Sequence, residues 1–392
     1  LYLDVKAFGL SMLKRYLILI GFSLFFWLAC QNDDDFAPLT INDINPPPTE
    51  TIVYEDSIPH LPQTLFDYDG YEKPPWFINN FMNFLETIPA DNPITDEGAT
   101  LGRVLFYDKK LSLNNSTSCG SCHHQAYGFA DTTSFSIGFE GELTSRNSMN
   151  LVNLQFSRFM FWDFSSPSLE HQVLQPISDP VEMGITHDSL LTKLAEVEYY
   201  RPLFTQAFGD SLITTDRISK ALAQFVRSIV SFDTKYDEGE ASNFANFNES
   251  ELLGKELFVD GEFRCNNCHL PPNFMGIQPE NNGLDLVYED NGAGNGRFKA
   301  PSLRNIALTA PYMHDGRFQT LEQVVEHYNT GLQAHPFLGD QLTENFIDGD
   351  PPIQYNMTDE EKQALVDFLH TLTDPITISH EKYSNPFIVN DK

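Results

Sequence analysis

Apolar positions along this chain recur mostly at helical spacing. Ile218, Leu222, Phe225, Val226 and Ile229 follow one another in steps of three and four, which places them on one helix face. Leu321, Val324, Val325 and Tyr328 form a second stripe. Thr320 with Gln323 opens that helix as a capping box, and Thr358 with Glu361 opens another. Two shorter segments, LGRVLFYD at 101–108 and LGKELFVD at 253–260, are near-copies and read as short amphipathic helices. Few runs alternate with period two. The pattern predicts a mostly α fold with long loops, in which one unit occurs twice.

Each near-copy leads into the same pentapeptide. Phe106 stands thirteen residues before Cys119, and Phe258 seven before Cys265. Residues 119–123 read CGSCH and 265–269 read CNNCH. Cys-x-x-Cys-His is the attachment signature of c-type haem. Two thiols one turn apart each form a thioether to a porphyrin vinyl, and the histidine that follows presents its imidazole to the same iron. A four-cysteine zinc site and a redox dithiol are the rival uses of these thiols. Neither requires a histidine directly after each second cysteine. The expected architecture is two cytochrome c-like haem domains in tandem, over residues 76–240 and 241–392, with His123 and His269 as iron ligands. Cys119, Cys122, Cys265 and Cys268 would carry the haems.

The fifth cysteine, Cys30, belongs to a different pattern. Lys14 and Arg15 precede an apolar run from Tyr16 to Leu28, thirteen residues long. That is short for a membrane span and fits a signal peptide, with residues 1–11 an over-long start. The run ends in Leu28-Ala29-Cys30, similar to a bacterial lipoprotein box with Cys30 lipidated, although Trp27 stands where a leucine is common. Plain secretion is the alternative. Either way the protein is expected outside the cytoplasm, in the periplasm or cell envelope, where c-type haem is attached. Residues 31–75 hold eight prolines, ten acidic residues and one lysine, and read as a tether. The chain has 24 Lys+Arg against 55 Asp+Glu, which argues against nucleic acid as a partner.

Residues 158–184 read RFMFWDFSSPSLEHQVLQPISDPVEMG, and 298–329 read FKAPSLRNIALTAPYMHDGRFQTLEQVVEHYN. Together with the two haem motifs, these resemble the bacterial dihaem cytochrome c peroxidases and their relative, the methylamine-utilisation enzyme MauG. The resemblance covers roughly residues 76–375. It implies that Trp162 lies between the haems, and that Gln172 and Glu182 line a peroxide pocket at the N-terminal haem. A carboxylate over an open haem face can take a proton from one peroxide oxygen and return it to the other. His171 is a rival base that does not match the family position. The resemblance also implies one calcium ion, bound by Asn147, Thr309 and Pro311, and oxygen-only ligation suits that cation.

Two positions depart from the usual peroxidase. Phe139 stands where many family members carry a histidine that caps the N-terminal iron; with Phe139 there, His124 is the first alternative cap. Tyr328 stands where the peroxidases have a methionine ligand to the C-terminal iron and where MauG has a tyrosine. His327, Met313 and Met275 are rivals to Tyr328 as that ligand. The implied reaction is reduction of hydrogen peroxide with electrons from an external donor protein, passed from the C-terminal to the N-terminal haem. MauG-like oxidation of a side chain on a partner protein is the first alternative, and a non-enzymatic electron carrier is the second. A second copy of the chain is a further candidate partner.

Overall fold

The computed structural model describes residues 58–388, apart from 79, 260, 262 and 348. The expected signal peptide, the Cys30 attachment site and residues 31–57 of the expected tether lie outside the described residues. All described residues, and so both haem motifs, fall in one compact unit. Among them there is no β-sheet, only isolated bridges such as His124 with Ala130 and Leu270 with Met275. No described helix is long and apolar enough to cross a membrane.

The repeat seen in the sequence is the visible half of a larger tertiary repeat. The helix Asp96–Tyr107 carries the first near-copy and crosses the helix Thr215–Ser228. The helix Glu249–Val259 carries the second and crosses the helix Asp359–His370. Each crossing is made at a glycine. A Cβ on Gly102 would lie 2.0 Å from the Ala221 carbonyl oxygen, and one on Gly254 would lie 1.9 Å from that of Ala364. Just beyond each glycine, Phe106 meets Phe225 and Phe258 meets Phe368, both pairs with ring centroids 5.2 Å apart. The glycine lets two helix backbones touch, and the phenylalanines then fill the widening gap.

Capping residues fix where these helices begin. Thr214, Thr320 and Thr358 each accept a hydrogen bond from the backbone N–H three residues on. The stripe from Thr320 ends earlier than expected as α-helix. It runs over Leu321–Glu326 and then widens into a π-helical turn over His327–Gly331, which carries Tyr328.

The domain boundaries differ from the sequence reading at three places. Within the expected tether, residues 58–75 are packed on the N-terminal lobe. Tyr68 is fully buried, its N–H donates to Asp96 Oδ1 at 2.8 Å and its hydroxyl to the Lys382 carbonyl at 2.9 Å. Tyr71 donates to Gln155 Oε1 at 2.7 Å. Composition alone treats the segment as solvated, because the surface that receives its aromatics is assembled from residues far along the chain. The second difference is at 233–240. Tyr236 is buried in the C-terminal core, and Asp237 accepts from both Nη1 and Nη2 of buried Arg304 at 2.8 and 2.9 Å. Third, the C-terminal tail returns to the N-terminal lobe, where Tyr383 and Phe387 join the core. A smaller cluster of Phe77, Met82, Leu85, Phe156, Val230, Phe232 and Met275 joins residues of both lobes.

The two glycines give the fold a direct test. Gly102→Ala and Gly254→Ala are each expected to lower stability by ~1–3 kcal/mol, the usual range for overpacking. The measurement is the Tm of the haem-loaded protein, and an unchanged Tm in both variants would mean the crossings do not set the helix separation.

Candidate active site

The two Cys-x-x-Cys-His turns are built alike. In the first, Ser118 and Ser121 form a capping box around a single 3-10 turn, Cys119–Ser121. The chain then turns back so that His123 Nδ1 is 2.8 Å from the Phe129 carbonyl. In the second, Cys265–Cys268 form one helical turn, and His269 Nδ1 is 3.3 Å from the Phe274 carbonyl. A carbonyl can only accept, so each Nδ1 carries the proton and each Nε2 is left unprotonated, with a lone pair suited to binding an iron. Burial pushes both imidazoles below their ordinary range, His269 to about 4, so both are neutral at pH 7.

None of the four motif cysteines is in a disulfide. Among the described residues, no group of three or more His, Cys, Asp or Glu side chains comes together as a metal site. The four thiols therefore do not converge, and the zinc reading has no geometry.

The C-terminal turn opens on a largely apolar cavity. Cys265, Cys268 and His269 line it together with Phe258, Leu303, Ile306, Leu321, Val325 and Leu369. Two thiols and an unprotonated imidazole nitrogen at the edge of an apolar slot fit a covalently held macrocycle. Tyr328 and Met313 line the same cavity. Burial raises the Tyr328 phenol well above its ordinary value, and an Asn282 side-chain hydrogen bond opposes that rise. Met313 Sδ is 3.5 Å from Asn282 Nδ2. The other two rivals are placed elsewhere. Met275 is buried in the cluster between the lobes, and His327 Nε2 is 2.9 Å from the Asn282 carbonyl.

At the N-terminal turn, Glu182 lies close enough to Cys119 and Cys122 to oppose their ionisation. Its carboxyl is raised to about 7, first by burial and then by Asp179. Its backbone carbonyl accepts from Phe139 N–H at 3.1 Å. The Phe139 ring is buried against Gly184, where a Cβ would come within 2.4 Å of it. Gln172 ends the short helix Leu169–Gln172 and is half-buried. His171 beside it is exposed, with Nδ1 2.8 Å from Ser166 Oγ and 3.0 Å from Gln175 Nε2. That is a satisfied surface histidine. His124 is half-buried, with its ring against Tyr127 at 6.3 Å.

Trp162 sits on the wall that the N-terminal lobe contributes to the cavity, beside Ala130, Asn147, Met149 and Asn150. Its indole N–H donates to the Asn147 carbonyl at 2.8 Å, and its own carbonyl accepts from Lys299 N–H at 2.7 Å. Thr309 and Pro311 line this cavity too, so the three residues expected to bind calcium share one chamber with Trp162. Arg146 braces the Trp162 loop by pairing with Asp163 at 2.7 Å and Asp290 at 2.6 Å.

Lys299 was not legible as a site residue. Its ammonium is buried and donates to Ser157 Oγ at 2.7 Å and to the Phe159 carbonyl at 3.0 Å. With only neutral acceptors, burial lowers it to about 7. Nothing in the string FKAP distinguishes this lysine from a surface one.

Two haem-attachment turns, each backed by a crossed helix pair and each with its histidine oriented by a backbone carbonyl, define a di-haem c-type protein. The profile of the di-haem cytochrome c peroxidase family matches residues 96–243 and 248–346. The chain belongs to that family: it is a cytochrome c peroxidase-type oxidoreductase with two covalently bound haem c groups. The carrier-only reading is thereby set aside. It is 34% identical over 295 residues to the methylamine utilization protein MauG of Methylophilus methylotrophus, covering 72% of this chain and 84% of that one. It is 35% identical over 254 residues to the cytochrome c551 peroxidase of Nitrosomonas europaea, covering 62% and 75%. A crystal structure of a MauG-like protein associated with microbial copper homeostasis superposes with a TM-score of 0.69 at 32% identity, covering 82% of this chain and 99% of that one.

Of the four candidate ligands to the C-terminal iron considered from the sequence, Tyr328 and Met313 are the ones that line this cavity. Tyr328→Phe is expected to change the resonance Raman signature of the C-terminal haem and raise its potential, while Met313→Leu leaves both near wild type. A methionine-to-iron charge-transfer band in the wild type, lost in Met313→Leu, would reverse the assignment.

Proposed function

We propose that this enzyme reduces hydrogen peroxide to two molecules of water at the N-terminal site, using two electrons and two protons. The electrons come one at a time from an external donor protein through the C-terminal site. The observation that carries this reading is Glu182, a partly buried carboxyl beside the first haem turn with its pKa raised to about 7. Haem c, when bound, supplies the iron at which the peroxide bond is broken and the macrocycle through which electrons pass. Glu182 takes a proton from one peroxide oxygen and delivers it to the other. Gln172 orients the peroxide through its amide. Trp162 couples the two sites from its place on the shared wall. Asn147, Thr309 and Pro311 would hold one Ca²⁺ through oxygen atoms, keeping the Trp162 wall in register.

A second reading, oxidation of a side chain on a partner protein with peroxide as oxidant, is favoured by Tyr328. A phenolate ligand stabilises ferric and more oxidised states, so the C-terminal site would share an oxidising equivalent better than it stores electrons. Stopped-flow mixing of the diferric enzyme with peroxide, with and without a small c-type cytochrome, separates the two. Rapid discharge by the cytochrome supports the first reading. Discharge only by a protein that is itself modified supports the second. Export to the cell envelope, with lipid on Cys30, is proposed from the sequence pattern alone.

The reaction with peroxide should depend on pH through Glu182. A base must be deprotonated to act, so the rate should rise as pH passes upward through about 7. Glu182→Gln should abolish that limb and slow the peroxide step by ~10²–10⁴-fold. An unaltered pH profile in Glu182→Gln would remove Glu182 from the mechanism.

Trp162→Phe should leave the first reaction with peroxide intact and slow the donor-driven return to the resting enzyme. Single-turnover spectra resolve the two phases, and an unchanged second phase would leave Trp162 as packing only.

A further inference from the structure

A second redox-capable cluster packs close to the first haem turn. The Tyr107 ring packs on that turn: a Cβ on Gly120 would lie 2.4 Å from Tyr107 Cδ1. The next residue is Asp108, whose side chain is 4% exposed. Asp108 Oδ1 caps the following turn by accepting from Lys110 N–H at 2.9 Å. Asp108 Oδ2 accepts from two phenols at once, Tyr200 at 2.7 Å and Tyr199 at 2.5 Å. The two rings are 4.7 Å apart at their centroids. Tyr200 is fully buried and Tyr199 half-buried, with Lys110 Nζ 3.2 Å from its hydroxyl.

Asp108 accepts three hydrogen bonds, one from Lys110 N–H and two from the phenols, with Lys110 Nζ 3.8 Å from its Oδ1. The other buried tyrosines of this lobe differ in kind. Tyr68, Tyr107 and Tyr383 donate to backbone carbonyls, which cannot take a proton. Tyr199 and Tyr200 donate to a carboxylate, which can. A phenol loses its proton when it loses an electron, so a tyrosine with a carboxylate in hydrogen-bond contact is far easier to oxidise than one facing a carbonyl.

We propose that Tyr199, Tyr200 and Asp108 form a redox relay that carries a one-electron oxidising equivalent from the N-terminal haem site to the protein surface. The relay rests on the reading that hydrogen peroxide reacts at that site. An electron leaves Tyr200 for the site that peroxide has oxidised. The Tyr200 O–H bond breaks and its proton forms an O–H bond with Asp108 Oδ2. Tyr199 then gives an electron to Tyr200. Asp108 returns its proton to Tyr200 and receives the one released by Tyr199. A small enediol reductant of the ascorbate class at the surface gives Tyr199 an electron, and Asp108 returns the proton to it. One carboxylate oxygen thus serves both phenols, and no net proton is lost. The relay discharges the enzyme when the donor protein is absent and protects it from its own oxidant.

The test uses the holoenzyme, mixed with hydrogen peroxide without donor, freeze-quenched and examined by EPR with ring-deuterated tyrosine. The expected result is a tyrosyl radical signal that narrows on deuteration and is lost in the Tyr199→Phe/Tyr200→Phe double variant. Tyr199→Phe alone, at a half-buried position, should keep the radical but discharge it more slowly with ascorbate. Both variants should retain donor-driven peroxide turnover and be inactivated by fewer equivalents of peroxide when no donor is present. Donor-driven turnover with no tyrosyl signal in the wild type, or a signal unchanged in the double variant, would overturn the relay and leave the peroxidase reading standing. Absence of both turnover and radical would overturn the peroxidase reading and the relay with it.

Discussion

The close contact of two helix backbones at a glycine is the constraint on which the rest of this structure depends. At Gly102 and at Gly254 a side chain would run into the carbonyl of the partner helix. Because the backbones touch there, the helices diverge beyond it, and Phe106 or Phe258 enters the widening gap against Phe225 or Phe368. Those same phenylalanines stand 6.5 Å from His123 and 6.3 Å from His269, ring centroid to ring centroid. The crossing therefore sets the height at which each histidine is presented. A wider separation would shift the phenylalanine and then the histidine beside it.

Charge around this frame is paired where it ties elements together and left unpaired at Glu182 and Lys299. Arg304 with Asp237 and Arg227 with Glu170 are buried two-pronged pairs that tie loops and helices together. Removing one partner of such a pair strands a buried charge, at a cost of several kcal/mol. Glu182 and Lys299 lack an opposite charge, and burial moves both to about 7 from opposite directions. One is raised and the other lowered for the same reason: the charged form is the one that loses solvation. Each lies where an oxidising equivalent would be made or passed on, beside the first haem turn and beside the Trp162 loop.

The junction between the lobes is made of pieces from distant parts of the chain. Asn147 holds the Trp162 indole, Lys299 holds the Trp162 backbone, and Arg146 ties the loop to Asp290. Chain segments near residues 146, 162, 290, 299 and 309 thus meet on one wall. No one segment contains enough of it to be recognised alone.

The sequence by itself determined the elements with short-range rules. Threonine caps, apolar stripes at steps of three and four, and the spacing within Cys-x-x-Cys-His depend on neighbours a few residues away, so they can be read from the string. The Cys-x-x-Cys-His motifs that contain His123 and His269 belong to this class, and so does the repeat of LGRVLFYD in LGKELFVD. Tertiary structure decided whatever depends on partners far along the chain. The burial of Tyr68 and the return of Tyr383 to the N-terminal core are two cases, since each side chain is covered by residues roughly three hundred positions away or assembled from several segments. The exclusion of Met275 and His327 from the C-terminal cavity is another, because sequence spacing does not say which of four nearby side chains the backbone turns inward. Lys299 and the Tyr199–Tyr200–Asp108 cluster are the clearest. Their chemistry comes from desolvation and from contacts across the fold, and neither exists until the chain has closed around them.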